Sequence, residues 1–241
     1  MTDSDEVVVG RNSVTEVLRS DLSVNRVVIR QGLRPETVSE IIELCKQRHI
    51  RFETLPSQKI ESLPGNPRDV AAFVSPIDYA EIEDIIEEAG ETSIILVLDG
   101  IEDPGNLGAI IRSAECFGVD GVVIPKNNAC PINMTVMKTS AGAVTHVPVA
   151  RVTNISDTLE KLKNAGYWVY GTDAKARQTL AGTKFDNKTA IVIGSEGKGM
   201  RQLVSKRCDV LVSIPMFGRI NSLNASVCAG IVLYEISRTA K

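Results

Sequence analysis

Two stretches of the 241-residue chain hold the side chains whose types and spacing could do chemistry. In Gly194-Ser-Glu-Gly-Lys-Gly199 one acid, Glu196, and one base, Lys198, lie among three glycines. A polar loop at 215–221 then leads into Ser222, Leu223 and Asn224. Upstream, Asp99-Gly-Ile-Glu-Asp-Pro-Gly-Asn106 is followed by Arg112, which is flanked by Ile110, Ile111 and Ala114. A guanidinium in so apolar a setting needs a carboxylate or a phosphate as partner. Asn106 stands at the mouth of the helix, where it could act simply as an N-cap. The glycine loop matches neither G-x-x-x-x-G-K-[ST] nor G-x-G-x-x-G, which disfavours a phosphate-cradling NTPase or a nicotinamide enzyme. It is not a G-x-S-x-G nucleophile elbow either. Closely spaced glycines at a sheet edge can instead wrap backbone around a small molecule.

The elements that must position these residues follow from periodicity. Residues 93–98, SIILVL, form a continuous apolar run of the kind expected for a central parallel strand buried on both faces. Further strands are expected at 119–124, 146–150, 167–171, 189–193 and 209–214. Helices are expected at 107–117, 133–143 and 157–164, with a long one starting near Ser222. Regular alternation of strand and helix predicts an α/β domain, a mostly parallel sheet with helices on both faces. Ligands bind such sheets at the carboxyl ends of their strands. In the last helix Ala225, Ser226, Ala229 and Gly230 give a small-residue face. Tight packing of that helix on the sheet explains the face equally well.

Residues 1–76 alternate strand and helix signals on a smaller scale. Strands are expected at 6–10, 26–30, 50–54 and 70–75, and helices at 12–19 (capped by Asn12 or Ser13), 35–49 and 57–62. No catalytic constellation occurs there, so this unit reads as a binding module. Residues 77–92 read as a linker with a short acidic helix, and 93–241 as the larger domain.

Composition narrows the classes further. The chain is 43% hydrophobic and 24% charged, and no run approaches the roughly 18–20 apolar residues of a membrane span. An acidic start, MTDSDE, lacks a signal-peptide core, which points to the cytoplasm. Five cysteines without CxxC pairing suggest reduced thiols, and two isolated histidines argue against a metal site or a Ser-His or Cys-His mechanism. The net charge of −3 hides an asymmetry, because residues 77–98 hold seven acids and no base. The remainder of the larger domain is therefore basic, which permits RNA binding.

Taken together, DPGNLGAIIRSAECFG (103–118), VIGSEGKGM (192–200) and IPMFGRINSLNASVCAGIVLYE (214–235) closely resemble the three motifs of the SpoU family of RNA ribose 2′-O-methyltransferases, within the SPOUT superfamily. They occur in the family's order. The N-terminal segment resembles the small ribosomal-protein-like domain of the subgroup that methylates a guanosine of 23S ribosomal RNA, preceding the domain that resembles SPOUT enzymes. It departs from that subgroup at Asn66-Pro-Arg-Asp69, where a His-Gln-Gly type of run is common. The resemblance implies a deep C-terminal trefoil knot, S-adenosyl-L-methionine bound within it, and an obligate homodimer with active sites at the subunit interface. Neither metal nor membrane is implied. It assigns Asn106, Arg112, Glu196, Ser222 and Asn224 to the catalytic centre, with Arg112 favoured for handling the 2′-hydroxyl proton. Thr172, Gly194, Ile214 and Leu223 are assigned to the cofactor pocket.

An arginine is an awkward base, since its pKa lies above about 12. Arg112 could instead orient the ribose or its phosphate. A transfer-RNA ribose is the alternative substrate. A non-catalytic ribosome-assembly factor and a small-molecule Rossmann-type enzyme are alternatives from other classes; the intact motifs and the missing glycine fingerprints count against them respectively.

Overall fold

The computed structural model describes residues 6–219 and 222–239. They form two compact units, one running through Asp78 and including Pro131–Thr135, the other comprising Tyr79–Cys130 and the chain from Val136 onward.

The first unit is a four-stranded sheet. Its elements are β1 (Glu6–Val9), α1 (Arg11–Arg19), β2 (Val24–Arg30), α2 (Ser39–Gln47), β3 (Arg51–Leu55), α3 (Ser57–Glu61) and β4 (Val70–Val74). The order is β1-β4-β2-β3, with β2 and β3 parallel and the other pairs antiparallel. Alternation along the strands sends Val27, Ile29, Val70 and Ala72 toward Val14 and Leu18 of α1 and Ile41 and Cys45 of α2. Val28, Ala71 and Phe73 face the other way, toward Ile60 of α3. Two local expectations differ. The N-cap of α1 is Gly10, at φ 97°, rather than Asn12 or Ser13. The helix expected over 35–49 breaks at Val38 into a 3-10 turn and α2, because φ −130° and ψ 0° there leave the helical region.

The second unit carries α4 (Ile82–Glu88), β5 (Ser93–Asp99), α5 (Pro104–Cys116), β6 (Gly121–Pro125), α6 (Met134–Thr139), β7 (Val149–Val152), α7 (Ile155–Asn164), β8 (Trp168–Thr172), β9 (Gln178–Thr179), β10 (Lys188–Gly194), α8 (Gln202–Arg207), β11 (Val210–Ser213) and α9 (Ala225–Thr239). Seven strands in the order β7-β6-β5-β10-β8-β11-β9 pair in parallel throughout. All seven residues of β5 are buried. Ile95, Val97, Val123, Val169 and Val192 pack against Ile82 and Ile85 of α4, Ile155, Leu159 and Leu162 of α7, and Val204 of α8. Helices α5 and α9 pack against one another, and α9 also contacts β10. Each fully buried aliphatic side chain in these layers contributes roughly 1.5–3 kcal/mol.

The acidic stretch 77–92 is not free chain. Ile82 and Ile85 of α4 are buried in the core, and Ala80 bridges to Ala150 beside β7. The seventh strand, β9, has only two residues, too few for any periodicity. The strand expected at 146–150 lies at Val149–Val152, displaced by a 3-10 turn over Ala143–Thr145. The last helix begins at Ala225, leaving Ser222, Leu223 and Asn224 in the preceding loop; residues 220 and 221 lie outside the described residues. In α9 Ala225 and Ala229 are buried, yet a methyl added at Gly230 would approach Ser113 Oγ at an ordinary 3.9 Å. The small-residue face therefore does not demand unusually close backbone contact at that glycine.

One consequence of the topology bears on function. Because β5, β10, β8 and β11 run parallel as neighbours, Asp99, Gly194, Thr172 and Ser213 all end at one edge of the sheet. The loops that follow them are brought together there.

Candidate active site

The glycine loop is a tight hairpin at that edge. Ser195 N–H donates to Gly199 O at 3.1 Å, and Gly199 N–H donates back to Ser195 O at 2.9 Å, leaving Glu196, Gly197 and Lys198 at the tip. Gly197 and Gly199 adopt φ of 76° and 67°, the left-handed region where a Cβ is costly. Gly194 answers a different demand, since a methyl there would overlap the backbone of Gly199 and Met200. Glu196 is thereby displayed on an exposed but well-defined turn.

Asn224 meets this loop from the start of α9. Its Oδ1 accepts from the N–H groups of Ser226 (2.9 Å) and Val227 (3.3 Å) and from Ser226 Oγ (2.6 Å), so Asn224 is the helix cap. Those three donors settle the orientation of the amide and aim Nδ2 away from the helix. Nδ2 donates to Glu196 Oε1 at 2.6 Å and to Asn106 Oδ1 at 2.9 Å. Asn106 can join because it is not the cap of α5. That position belongs to Asp103, whose Oδ1 accepts from Asn106 N–H at 2.7 Å. Asn106, Glu196 and Asn224 thus form one hydrogen-bonded trio drawn from the first turn of α5, the glycine loop and the cap of α9.

Beside the trio lies a cavity of about 550 Å³. Thr172, Gly194, Ile214 and Leu223 all line it, as do Glu196 and Ser222. Its volume falls in the range of small-molecule sites, roughly 300–1,000 Å³. Arg112 stands apart. It is exposed on α5, and its guanidinium makes no hydrogen bond or ion pair among the described residues. The carboxylate partner that its apolar neighbours suggested is therefore absent among those residues.

Sequence reasoning missed several wall residues, among them Met200, Met216 and Cys228. Burial raises the pKa of the Cys228 thiol, against a smaller lowering by its hydrogen bond with Thr172. Thr172 Oγ donates to Val192 O at 3.1 Å, which fixes that side chain at the end of β8. Cys228 follows Asn224 by one helical turn, a spacing that could have flagged it. Asp99 was also passed over. Its fully buried carboxylate accepts from Arg201 N–H (2.7 Å), Nε (2.7 Å) and Nη2 (2.6 Å).

Comparison with known proteins converges on the same loops. The family model described as the SpoU rRNA Methylase family matches residues 93–234, which span all three loops. The protein belongs to the SpoU methylase family. A second family model, RNA 2′-O ribose methyltransferase substrate binding, matches residues 7–80. A Staphylococcus aureus relative, named for the TrmH family of tRNA/rRNA methyltransferases, is 43% identical over 97% of this chain and 96% of its own. Among solved structures, the SpoU methyltransferase AviRb from Streptomyces viridochromogenes, in complex with the cofactor AdoMet, is 25% identical with a TM-score of 0.62. That likeness covers 96% of this chain and 89% of AviRb. The TrmH/SpoU tRNA modifying enzyme of A. aeolicus is 26% identical with a TM-score of 0.57, over 65% of this chain and 79% of its own. The SpoU chain described here is accordingly an RNA methyltransferase of the SpoU/TrmH group. Among its described residues no helix is long and apolar enough to cross a membrane, and no cluster of His, Cys, Asp and Glu could hold a metal ion.

Proposed function

We propose that the protein transfers a methyl group from S-adenosyl-L-methionine to the ribose 2′-hydroxyl of a guanosine in 23S ribosomal RNA. The observation that carries this reading is the Asn106–Asn224–Glu196 trio at the rim of a glycine-walled cavity. The cavity suits the methyl donor in size, and Gly194 leaves backbone, not side chain, on its wall. Thr172, Gly194, Ile214 and Leu223 would hold the donor there. When bound, S-adenosyl-L-methionine supplies an electrophilic sulfonium methyl and its own leaving group.

The chain's own task is to align the ribose, exclude water and move one proton. Asn106 Oδ1 is occupied by Asn224, which leaves its Nδ2 to donate to the RNA. Glu196 keeps Oε2 as an acceptor while Oε1 is held by Asn224. Ser222, at the cavity wall, adds a hydroxyl. Arg112, whose guanidinium has no hydrogen bond or ion pair among the described residues, is offered to the ribose or its phosphate and is the group assigned to the 2′-hydroxyl. We place RNA recognition in residues 1–76 and methyl transfer in residues 93–241. Two further features belong to the proposal. The C-terminal segment is threaded as a deep trefoil knot, in keeping with α9 packing on α5 and β10. The working form is a cytoplasmic homodimer, supported by the exposed apolar stripe of Val227, Ile231 and Tyr234 on α9.

A transfer-RNA ribose is the second reading, favoured by the tRNA/rRNA wording attached to the staphylococcal relative. The test is transfer of labelled methyl from S-adenosyl-L-methionine to ribosomal RNA and, separately, transfer RNA from cells lacking the gene, followed by nuclease mapping. Label at one 23S guanosine ribose supports the first reading. Label in transfer RNA replaces it by the second, and label on a base overturns both.

A further inference from the structure

We infer that Asp99 and Arg201 form a clamp that closes the Ser195–Met200 loop over the cavity, and so act as positioning residues for the methyl-donor site. The inference rests on the function proposed above for its consequence, though not for its geometry. Asp99 is the last residue of β5, the strand flanked by β6 and β10 in the sheet, and its side chain has no solvent exposure. A buried carboxylate is costly unless its lone pairs are filled by donors, preferably charged ones. Here one residue fills them three ways, through the backbone N–H, Nε and Nη2 of Arg201, all within 2.7 Å. Nε and Nη2 of the guanidinium converge on Oδ1 while the backbone N–H takes Oδ2, a pair of fixed side-chain donors that a lysine ammonium does not offer.

What the clamp holds is set by register. Gly194, where the loop leaves β10, is the cross-strand partner of Asp99. Arg201, where the loop enters α8, is bonded to the same Asp99. One end of the loop is therefore held by strand pairing beside Asp99 and the other by the buried Asp99 carboxylate, and both fix where the hairpin leaves the sheet. Within the loop, among the described residues, the Ser195–Gly199 backbone pair, the Lys198 N–H to Glu196 O bond and the weak Ser195 Oγ to Gly199 O bond hold it together. Those bonds shape the hairpin; its tip is tied to the start of α9 by the Asn224 Nδ2 to Glu196 Oε1 bond, and its base is held by Asp99 and Arg201. Arg201 itself does not line the cavity, so its effect must pass through the loop.

Arg201→Gln is the test, because it keeps the backbone N–H and a polar side chain while removing the charged fork. Arg201→Lys is the conservative companion. Amide hydrogen exchange in the donor-free protein is the first readout. At least tenfold faster exchange at Ser195, Gly199 and Arg201 is expected in Arg201→Gln, with strand β5 unchanged and Arg201→Lys intermediate. The second readout is kinetic: KM for S-adenosyl-L-methionine should rise about tenfold while kcat stays within about threefold. Unchanged exchange in the loop overturns the clamp. Faster exchange with unchanged KM reduces Asp99 and Arg201 to a purely structural pair and overturns their positioning role. If the wild type binds no S-adenosyl-L-methionine, the proposed function fails, and the exchange data still decide whether the clamp exists. Should Arg201→Gln not fold, Arg201→Lys alone carries both measurements.

Discussion

Replacing Asn224 by serine separates the two jobs that one amide performs. A serine caps a helix about as well as asparagine, so the bonds to Ser226 and Val227 should be replaced in kind. Its shorter side chain offers no donor at the position of Nδ2, and the bonds to Asn106 (2.9 Å) and Glu196 (2.6 Å) are lost. A neutral hydrogen bond contributes about 0.5–1.5 kcal/mol and one to a carboxylate about 1.5–3 kcal/mol. Glu196 and Asn224 are exposed and Asn106 is half-buried, so solvent competes and a loss of about 1–3 kcal/mol in the geometry of the trio is the reasonable range. Expressed in the rate, at tenfold per about 1.4 kcal/mol, this is roughly 5- to 150-fold slower methyl transfer. Asn224→Ala should lose the cap as well, about 0.5–2 kcal/mol. For a chain of this size that lowers Tm by about 1–8 °C relative to the serine variant. Single-turnover methyl transfer with labelled donor and a thermal melt on each variant supply both numbers. A serine variant that transfers methyl within threefold of wild type would refute the trio as the seat of the reaction. An alanine variant that melts no lower than the serine one would refute the cap.

Other perturbations probe the rest of the site. Arg112→Ala should abolish methyl transfer while shifting stability by no more than about 0.5 kcal/mol, because the side chain is exposed and unpaired among the described residues; residual turnover above a tenth of wild type would argue against an essential Arg112. Gly194→Ala forces a methyl into the Gly199–Met200 backbone, so calorimetry should find no donor binding and the melt should fall by several degrees; normal donor affinity would show that the loop can give way. Burial pushes the thiol of Cys45 up to about 11 and that of Cys208 up to about 12. Since the neutral thiol is favoured in the fold, this stability is complete below the unfolded thiol pKa near about 8.5 and is lost as pH rises toward 11–12. Tm should therefore be flat below about pH 8.5 and fall above it, less steeply in Cys208→Ala; an equal fall in that variant would sink the assignment. Of the five cysteines Cys116 is the exposed one, so native thiol labelling should be fast there and slow at the buried Cys45 and Cys130.

How much of this was legible beforehand varies with the range of the interaction involved. The run SIILVL announced β5 because both faces of that strand are buried, and its neighbours followed from the same patterning. Helix α5 was placed, but its start was set three residues too late, since Asp103 rather than Asn106 makes the capping bond. The short acidic helix within 77–92 is legible from its composition, whereas the burial of Ile82 and Ile85 against the sheet is a tertiary outcome. Of the site, the family motifs draw attention to Asn106, Glu196, Asn224, Gly194, Ile214 and Leu223, and Thr172 is singled out by its place at a strand end. Cys228 carried only its one-turn spacing from Asn224, and Met200 and the Asp99–Arg201 pair carried no recognisable local signal.

The sequence by itself determined the α/β class, the alternation of the larger unit and the three loops worth attention. Those properties rest on periodicity and backbone conformation, which act over a few neighbouring residues. Only the tertiary structure decided that Nδ2 of Asn224 reaches both Asn106, 118 positions away, and Glu196, 28 positions away. It also decided that the glycine loop leaves β10 beside Asp99 and is held at Arg201 by the Asp99 carboxylate. Those meetings depend on β10 lying between β5 and β8 with all strands parallel. Strand order is a property of how crossovers pack over the whole sheet, and no local window of sequence contains it.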